Sequence, residues 1–363
     1  MSKKKRILVC PLNWGLGHAA RCIPLIRELE LAGAEVIIAA DGHPAELLKN
    51  EFPHLQLIRI QGYNITYSPG RSQALKMILS APLIGAGICR EHYFLKKIIK
   101  DFSIDIVISD NRFGLWSKKV RSIFITHQVM IKCPPSLRFL EPALCRLNRF
   151  FISRYHECWI PDFPGENNLS GDLAHQYTLP ANTYFIGPLS RFKDNALPAS
   201  TGGKLLVILS GPEPQRSIFE KRIVEDLARC SFPALLVRGL PGNAAPAPFA
   251  IPPGVTMVPH LDSGKLREAF LSASVIICRG GYSSIMDLAA LGRNAIFVPT
   301  PGQTEQEYLA EYFKKKKIFY SEPQEEFNLS RSLEESKKYN VSLLSLPHNS
   351  QELLKNRLRA LLI

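Results

Sequence analysis

The sequence predicts two doubly wound α/β domains side by side, and three observations predict them. With 363 residues the chain exceeds one ordinary core, which sets a prior of about two domains. Short β-branched runs alternate with amphipathic ones, the pattern of parallel sheets covered on both faces. The alternation breaks once, at a polar stretch rich in Pro, Gly, Ser and Ala, and then begins again.

The first half opens with RILVCPL as a strand. Residues 19–32 follow as a helix with Ile23, Leu25, Ile26 and Leu29 on one face. AEVIIAA reads as a second strand, HPAELLKNEF as a short helix and LQLIRI as a third strand. DIVISD at 105–110 and SIFITH at 122–127 are two more strands, and ECWIPD and TYFIGPL close this half. The predicted first domain is 1–188 and the connection 189–203.

The second domain, 204–349, starts with the strand KLLVILSG and a helix over 215–230. PALLVRGL and GVTMVPH are strands, KLREAFLSA a helix, SVIICRGG a strand, SSIMDLAALG a helix and NAIFVPTP a strand. QEYLAEYFKKKK is a helix whose closing lysines suit the negative end of its dipole. The amphipathic tail 350–363 is a last helix, expected to pack back on the first domain.

Composition narrows the class. The chain is 46% apolar and 21% charged, values of a soluble globular protein. The start MSKKKR leads straight into a strand, with no small-residue cleavage site, so no secretory signal is read. MILSAPLIGAGIC is too short to span a bilayer and contains Pro82. Eight scattered cysteines without a CxxC fit free thiols in a reducing cytosol rather than disulfides or zinc. The expected location is cytoplasmic.

The net charge of +13 is uneven. From Arg71 to Arg154 there are 15 Lys or Arg against 5 Asp or Glu, so this segment carries +10 of it. Within it, Leu137, Leu140, Leu144, Leu147 and Phe151 fall on one helical face, ringed by Arg138, Arg146, Arg149 and Arg154. Phe139, Phe150 and Ile152 lie off that stripe, and Pro142 opens or kinks the helix. A basic helix with surplus apolar surface can lie on an anionic membrane, and a helix packed on its own domain gives the same pattern. No recognition module for nucleic acid is visible, so none is expected as a partner.

Residues 278–310, CRGGYSSIMDLAALGRNAIFVPTPGQTEQEYLA, carry the most chemistry. Gly280 and Gly281 allow a sharp turn and a close ligand approach. Ser283 and Ser284 can cap the helix that starts there, and its N-terminus is an anion site beside Arg279. Asp287, about one turn in, suits a ribose diol, so the segment describes a nucleoside diphosphate. Gln303, Glu305 and Gln306 in the next loop can pair sugar hydroxyls. A capped Gly-rich turn and a Pro-Gly turn are the plain structural alternatives.

This stretch resembles the donor-binding half of GT-B glycosyltransferases, above all the MurG-type and UDP-glycosyltransferase-like group. The resemblance implies that Arg279, Gly280, Gly281, Ser283 and Ser284 hold diphosphate, and that Asp287 stands where a glutamate usually binds ribose. Glu305 and Gln306 match the acid–glutamine pair that binds the donor sugar. VILSGPEPQR is similar to the first Gly/Ser loop of the donor domain, offering Ser210, Gly211 and Glu213, though Pro212 and Pro214 stiffen it. The likeness covers nearly the whole chain, strongly at the loops and weakly between residues 50 and 150.

NWGLGHAAR, near the start, resembles the first-domain loop of the same enzymes. There Gly15 and Gly17 permit a tight turn facing the cleft, and His18 begins a helix. The resemblance makes His18 the base that deprotonates an acceptor hydroxyl, oriented by Asp110 after DIVISD. His127 ends the next strand and Arg21 offers an acceptor phosphate a partner, so both are placed on the acceptor side. GLGHAA is also a partial dinucleotide fingerprint with Asp41 as its acid, a weak match on its own.

The expectation is thus an inverting, metal-independent transferase that uses a nucleotide sugar, UDP-linked, as co-substrate and needs no further cofactor. Its acceptor is lipid-linked or phosphorylated. A nucleotide-sugar-binding protein without turnover, or a hydrolase or epimerase on the same fold, are the alternatives.

Overall fold

A computed structural model describes residues 4–62, 81–192, 203–230, 232–242, 246–344 and 350–362. What was expected of 71–80 and of most of the connection, 193–202, lies outside the described residues.

The first half runs β1 (Arg6–Pro11), α1 (Leu16–Leu31), β2 (Glu35–Ala40), α2 (Gly42–Glu51), β3 (Gln56–Arg59) and α3 (Ala81–Asp101). It continues with β4 (Ile106–Asp110), β5 (Arg121–Ile125), α4 (Glu141–Ile152), β6 (Glu157–Ile160), α5 (Asp172–His175) and β7 (Thr183–Phe185). All seven strands are parallel, in the order β3-β2-β1-β4-β5-β6-β7.

The second half runs β8 (Lys204–Ile208), α6 (Gln215–Cys230), β9 (Ala234–Val237), β10 (Val255–Val258), α7 (Ser263–Ser272) and β11 (Ala273–Cys278). Then come α8 (Tyr282–Leu291), β12 (Ala295–Phe297), α9 (Thr304–Lys315), β13 (Tyr320–Ser321), α10 (Leu329–Ser336) and α11 (Ser350–Leu362). Its parallel order is β10-β9-β8-β11-β12-β13. Each sheet reverses its winding once, between β1 and β4 and between β8 and β11. Ligands of such sheets sit beyond the strand ends at that reversal.

The strands form because they are apolar almost throughout: β1 buries five of its six residues and β4 all five. Asp41 caps α2 by accepting from the Gly42 N–H, so the acid of the dinucleotide reading serves a helix start. Pro82 sits in the first turn of α3, where its missing N–H is tolerated.

The helix over 137–151 is corrected. Residues 135–140 are a 3-10 turn, Pro142 opens α4, and the face turned inward is Glu141, Cys145, Asn148 and Ile152. Asn148 donates to the Gln128 and Val129 carbonyls, which fixes that face. Leu147 of the expected stripe therefore points outward, with Phe139 and Phe150.

The two halves share apolar packing. Ile23 and Ile26 of α1 belong to one buried cluster with Tyr282, Ile285 and Met286 of α8. Leu354, Leu358 and Leu361 of α11 join it as well. Arg357 of α11 donates to Glu157 of β6 at 2.7 Å and lies over the Tyr184 ring, so the last helix rests on the first sheet.

Candidate active site

His18 lies in the first turn of α1, after the end of β1, and Asp110 is the last residue of β4. They therefore flank the reversal point of the first sheet. Gly15 sits at φ +97, which a side chain would strain, and turns the chain from β1 into α1. His18 Nδ1 is 2.9 Å from Asp110 Oδ1. Arg21 Nη2, a donor, stands 2.9 Å from the same nitrogen, and with the ring proton on Nδ1 the imidazole donates to the carboxylate. That leaves Nε2 as the accepting nitrogen.

Behind this pair stands a buried arginine. Arg21 donates Nε to Asp110 Oδ2 at 2.5 Å, and its Nη2 pairs with Oδ1. Burial works against the charge on Asp110, but Arg21 and then His18 outweigh it and hold the carboxyl well below the usual carboxylate range. Arg21 Nη1 donates to His127 Nδ1 at 2.9 Å. Since arginine only donates, His127 carries its proton on Nε2, which lies 2.9 Å from Glu305 Oε1 at the start of α9. Burial keeps the His127 imidazole low in pKa, although Glu305 pulls the other way. Gln128 donates to the second oxygen of Glu305.

Exposure separates the roles. The His18 side chain is 15% exposed, against 1% for Asp110, 2% for Arg21 and 3% for His127. Only His18 of these four can meet a substrate directly. Arg21, expected on the acceptor side for a phosphate, is instead consumed by Asp110 and His127. His127 is inside the contact between the halves, stacked on Tyr282 at 4.0 Å and 5°.

The second sheet brings its own loops to the same place. Tyr282 donates its hydroxyl to the Pro161 carbonyl of the first half at 2.8 Å. A Cβ on Gly17 would come within 2.6 Å of Ser283 Oγ, so the His18 loop touches the start of α8. Gly281 is the N-cap of α8, without a side-chain cap; Ser283 and Ser284 lie inside the first turn rather than capping it. Gly280 is buried against the start of α9.

Two residues expected to bind nucleotide are bonded within the chain. Arg279 is 1% exposed, and its donors go to the carbonyls of Ser210, Gln215, Val298 and Pro299 and to Gln324 Oε1. It also lies over the Phe219 ring, and burial lowers its pKa to about 9. It fastens the loops after β8 and β12. Asp287 accepts from Ser190 Oγ and Arg191 N with one oxygen and from Arg191 Nε with the other. Its carboxylate holds the chain where it leaves the first half.

The remaining positions cluster around the second reversal point. Ser210 and Gly211 follow β8, and a Cβ on Gly211 would stand 3.2 Å from Thr300 Oγ1. Glu213 is half exposed and accepts from Arg216 at 2.6 Å. Gln306 accepts from the Thr300 N–H and donates to Gln303, so these two glutamines shape the loop before α9. Tyr282 was missed in the sequence: an aromatic between Gly281 and Ser283 carries no ligand signal of its own. No cluster of His, Cys, Asp or Glu able to hold a metal occurs among the described residues.

Residues 261–357 match the family model described as glycosyltransferase family 28 C-terminal domain, and residues 5–126 that of glycosyl transferase family 1. An uncharacterized glycosyltransferase of Methanosarcina mazei is 24% identical, covering 96% of this chain and 95% of its own length. The UDP-N-acetylglucosamine–N-acetylmuramyl-(pentapeptide) pyrophosphoryl-undecaprenol N-acetylglucosamine transferase of Pasteurella multocida is 25% identical, covering 85% and 80%. The glycosyltransferase SnogD of Streptomyces nogalater superposes with a TM-score of 0.62 at 14% identity, covering 99% of this chain and 100% of that one. MurG of Acinetobacter baumannii superposes at 0.55 and 13%, with the same coverage. Such structural likeness speaks for the fold, two facing Rossmann-like domains.

Proposed function

Because the chain is a GT-B glycosyltransferase similar to the MurG-type and UDP-glycosyltransferase-like group, we propose that it moves a sugar from a UDP-linked donor to an acceptor held at a membrane. The reaction is inverting and needs no divalent cation. His18 Nε2 takes the proton of the acceptor hydroxyl as that oxygen attacks the anomeric carbon. The bond to the diphosphate oxygen breaks and UDP leaves. Asp110 keeps the tautomer that makes Nε2 the base and stabilises the imidazolium that forms. The open N-terminus of α8, with Ser283 and Ser284, takes up the charge on the leaving diphosphate, as fixed donors do without reorganising.

One observation carries this reading: the His18 loop lies against the first turn of α8, Gly17 facing Ser283, with Asp110 directly behind His18. A base and an anion site that close are what sugar transfer from a diphosphate requires. Glu305, with Gln306 and Gln303, is the group nearest the donor sugar. Because Glu305 now faces His127 and Gln128, sugar hydroxyls have to replace those partners.

The membrane side of the proposal rests on α3 and α4. Leu83 and Tyr93 of α3 and Leu147 and Phe150 of α4 are exposed, as is Phe139 just before α4. The two helices are linked through His92 stacked on Trp116 and Arg154 lying over both Trp116 and Phe150. Outward arginines among exposed apolar side chains suit an anionic leaflet. No described helix is long and apolar enough to cross a membrane. The Pasteurella multocida relative is named for an undecaprenol-linked acceptor, which agrees. We place the enzyme in the cytoplasm, at the inner face of the membrane.

The test is calorimetric titration with UDP, GDP, TDP and NAD without added metal. Binding of UDP in preference to the others supports the donor assignment. Binding of NAD alone contradicts it. UDP binding without turnover of any UDP-sugar favours a binding protein.

A further inference from the structure

We propose that the start of α9 is a clasp across the two halves that tells a nucleotide sugar from the bare nucleotide, because a donor sugar has to release it and UDP does not. The proposal rests on the donor-sugar reading of Glu305 made above. Thr304, Glu305 and Tyr308 close the clasp. Glu305 accepts on one oxygen from His127 Nε2 at 2.9 Å and on the other from Gln128 Nε2. Thr304 Oγ1 donates to the Lys132 carbonyl at 2.8 Å. One turn on, the Tyr308 hydroxyl accepts from the Asp172 N–H at 2.7 Å, and Lys132 Nζ lies 4.7 Å over the Tyr308 ring.

The first-half side of the clasp is held in place. Arg21 donates to His127 Nδ1, which keeps Nε2 aimed at Glu305, and Asn148 holds the Gln128 and Val129 carbonyls. The exchangeable part is Glu305, whose side chain is 31% exposed against 3% for His127. Bonds to a carboxylate are about twice as strong as neutral ones, so Glu305 is the strongest link of the three. Sugar hydroxyls that take it leave Thr304 and Tyr308 to hold α9 with neutral bonds alone. The halves stay joined elsewhere, by Asp287 on Arg191 and Arg357 on Glu157, so the start of α9 can lift without parting them. A ligand shifts such an equilibrium only by its difference in affinity for the two states. UDP has no sugar to offer Glu305 and binds both alike, whereas a UDP-sugar binds the released one.

The Asp172 N–H reports on the clasp, because its bond crosses to Tyr308. Its hydrogen exchange is followed by mass spectrometry in the full chain, free, with UDP, and with UDP-glucose, UDP-galactose or UDP-N-acetylglucosamine, beside calorimetry of the same ligands. Saturating UDP should leave exchange at the free rate, and a bound UDP-sugar should raise it about tenfold. Tyr308→Phe with Thr304→Val loosens the clasp without touching Glu305. That variant should bind UDP as the parent does and a UDP-sugar about threefold more tightly or better, since less of the chain is held in the closed state. Should the double variant fail to fold, Tyr308→Phe alone is measured. Contacts that merely join the halves would not change one affinity without the other, so an equal change in both, or none, overturns the proposal. Exchange at Asp172 that a bound UDP-sugar leaves unchanged or slows overturns it too, as does UDP raising it equally. The donor reading fails in a different way, with UDP-sugars bound by neither parent nor variant, and the clasp proposal falls with it.

Discussion

His18 and Asp110, 92 residues apart, meet through Nδ1 and Oδ1 at 2.9 Å. The contact joins the first turn of one helix to the end of a neighbouring strand, across the reversal point of the sheet. Asp110→Asn should leave UDP affinity unchanged and lower turnover on the order of 10²-fold or more. An amide can present its N–H to Nδ1, which would put the ring proton on Nε2, where the base must be bare. Steady-state kinetics beside calorimetry check it. A loss of UDP affinity equal to the loss of rate would contradict it.

Arg279 gives the opposite kind of prediction. Its side chain fastens four carbonyls and one amide oxygen from separate loops. Removing it orphans buried acceptors, so Arg279→Ala should cost about 3 kcal/mol or more of stability. Urea denaturation measures this. A variant as stable as the parent, with UDP affinity selectively lost, would return Arg279 to the role of phosphate ligand.

The contrast between these residues shows what the sequence makes legible. Strand-end positions are readable from apolar runs, so His18 and Asp110 could be placed in one cleft before any coordinates. Arg279 and Asp287 stand beside the right loop too, but the bonds they make within the chain are not readable there. Their partners, Gln215, Val298 and Gln324 for one and Ser190 and Arg191 for the other, are distant in the chain and carry no local mark. Arg21 was visible as a charge near His18, but not as a buried clamp. Most strands and helices were legible because their periodicity is strong. The two-residue β13 and the polar helix α10 lack such a signal, and α4 turned because Asn148, a polar residue, bonds inward.

Stability should fall with acid in two stages. His127 is buried and its pKa lowered, so the folded chain resists a proton that the unfolded chain binds near pH 6.5 (about the ordinary imidazole value). Stability is therefore lost as pH falls below about 6.5, at most about 1.4 kcal/mol per pH unit, until the folded pKa is reached. Asp110 and Glu305 have depressed pKa values, so their contribution is present above about pH 4 and lost on further acidification. Urea denaturation at pH 8, 6, 5, 4 and 3 resolves the stages. His127→Gln should flatten the first, and an unaltered slope would contradict the assignment.

The outward face of α3 and α4 can be tested apart from catalysis. Arg146→Gln with Arg149→Gln should weaken binding to anionic vesicles by about 2 kcal/mol, roughly 1 kcal/mol per charge. Leu147→Ser with Phe150→Ser should weaken it as well, without changing its salt dependence. Sedimentation with phosphatidylglycerol vesicles measures both. Equal binding to neutral and anionic vesicles by the parent chain would contradict the electrostatic part.

The central claim is sugar transfer with His18 as base. Its most direct measurement follows label from a panel of radioactive UDP-sugars into an extracted membrane-lipid fraction, with the parent chain and with His18→Ala. The account predicts transfer of one labelled sugar by the parent, a rate at least about 10²-fold lower in His18→Ala, and unchanged UDP binding in both. Full transfer by His18→Ala would contradict it.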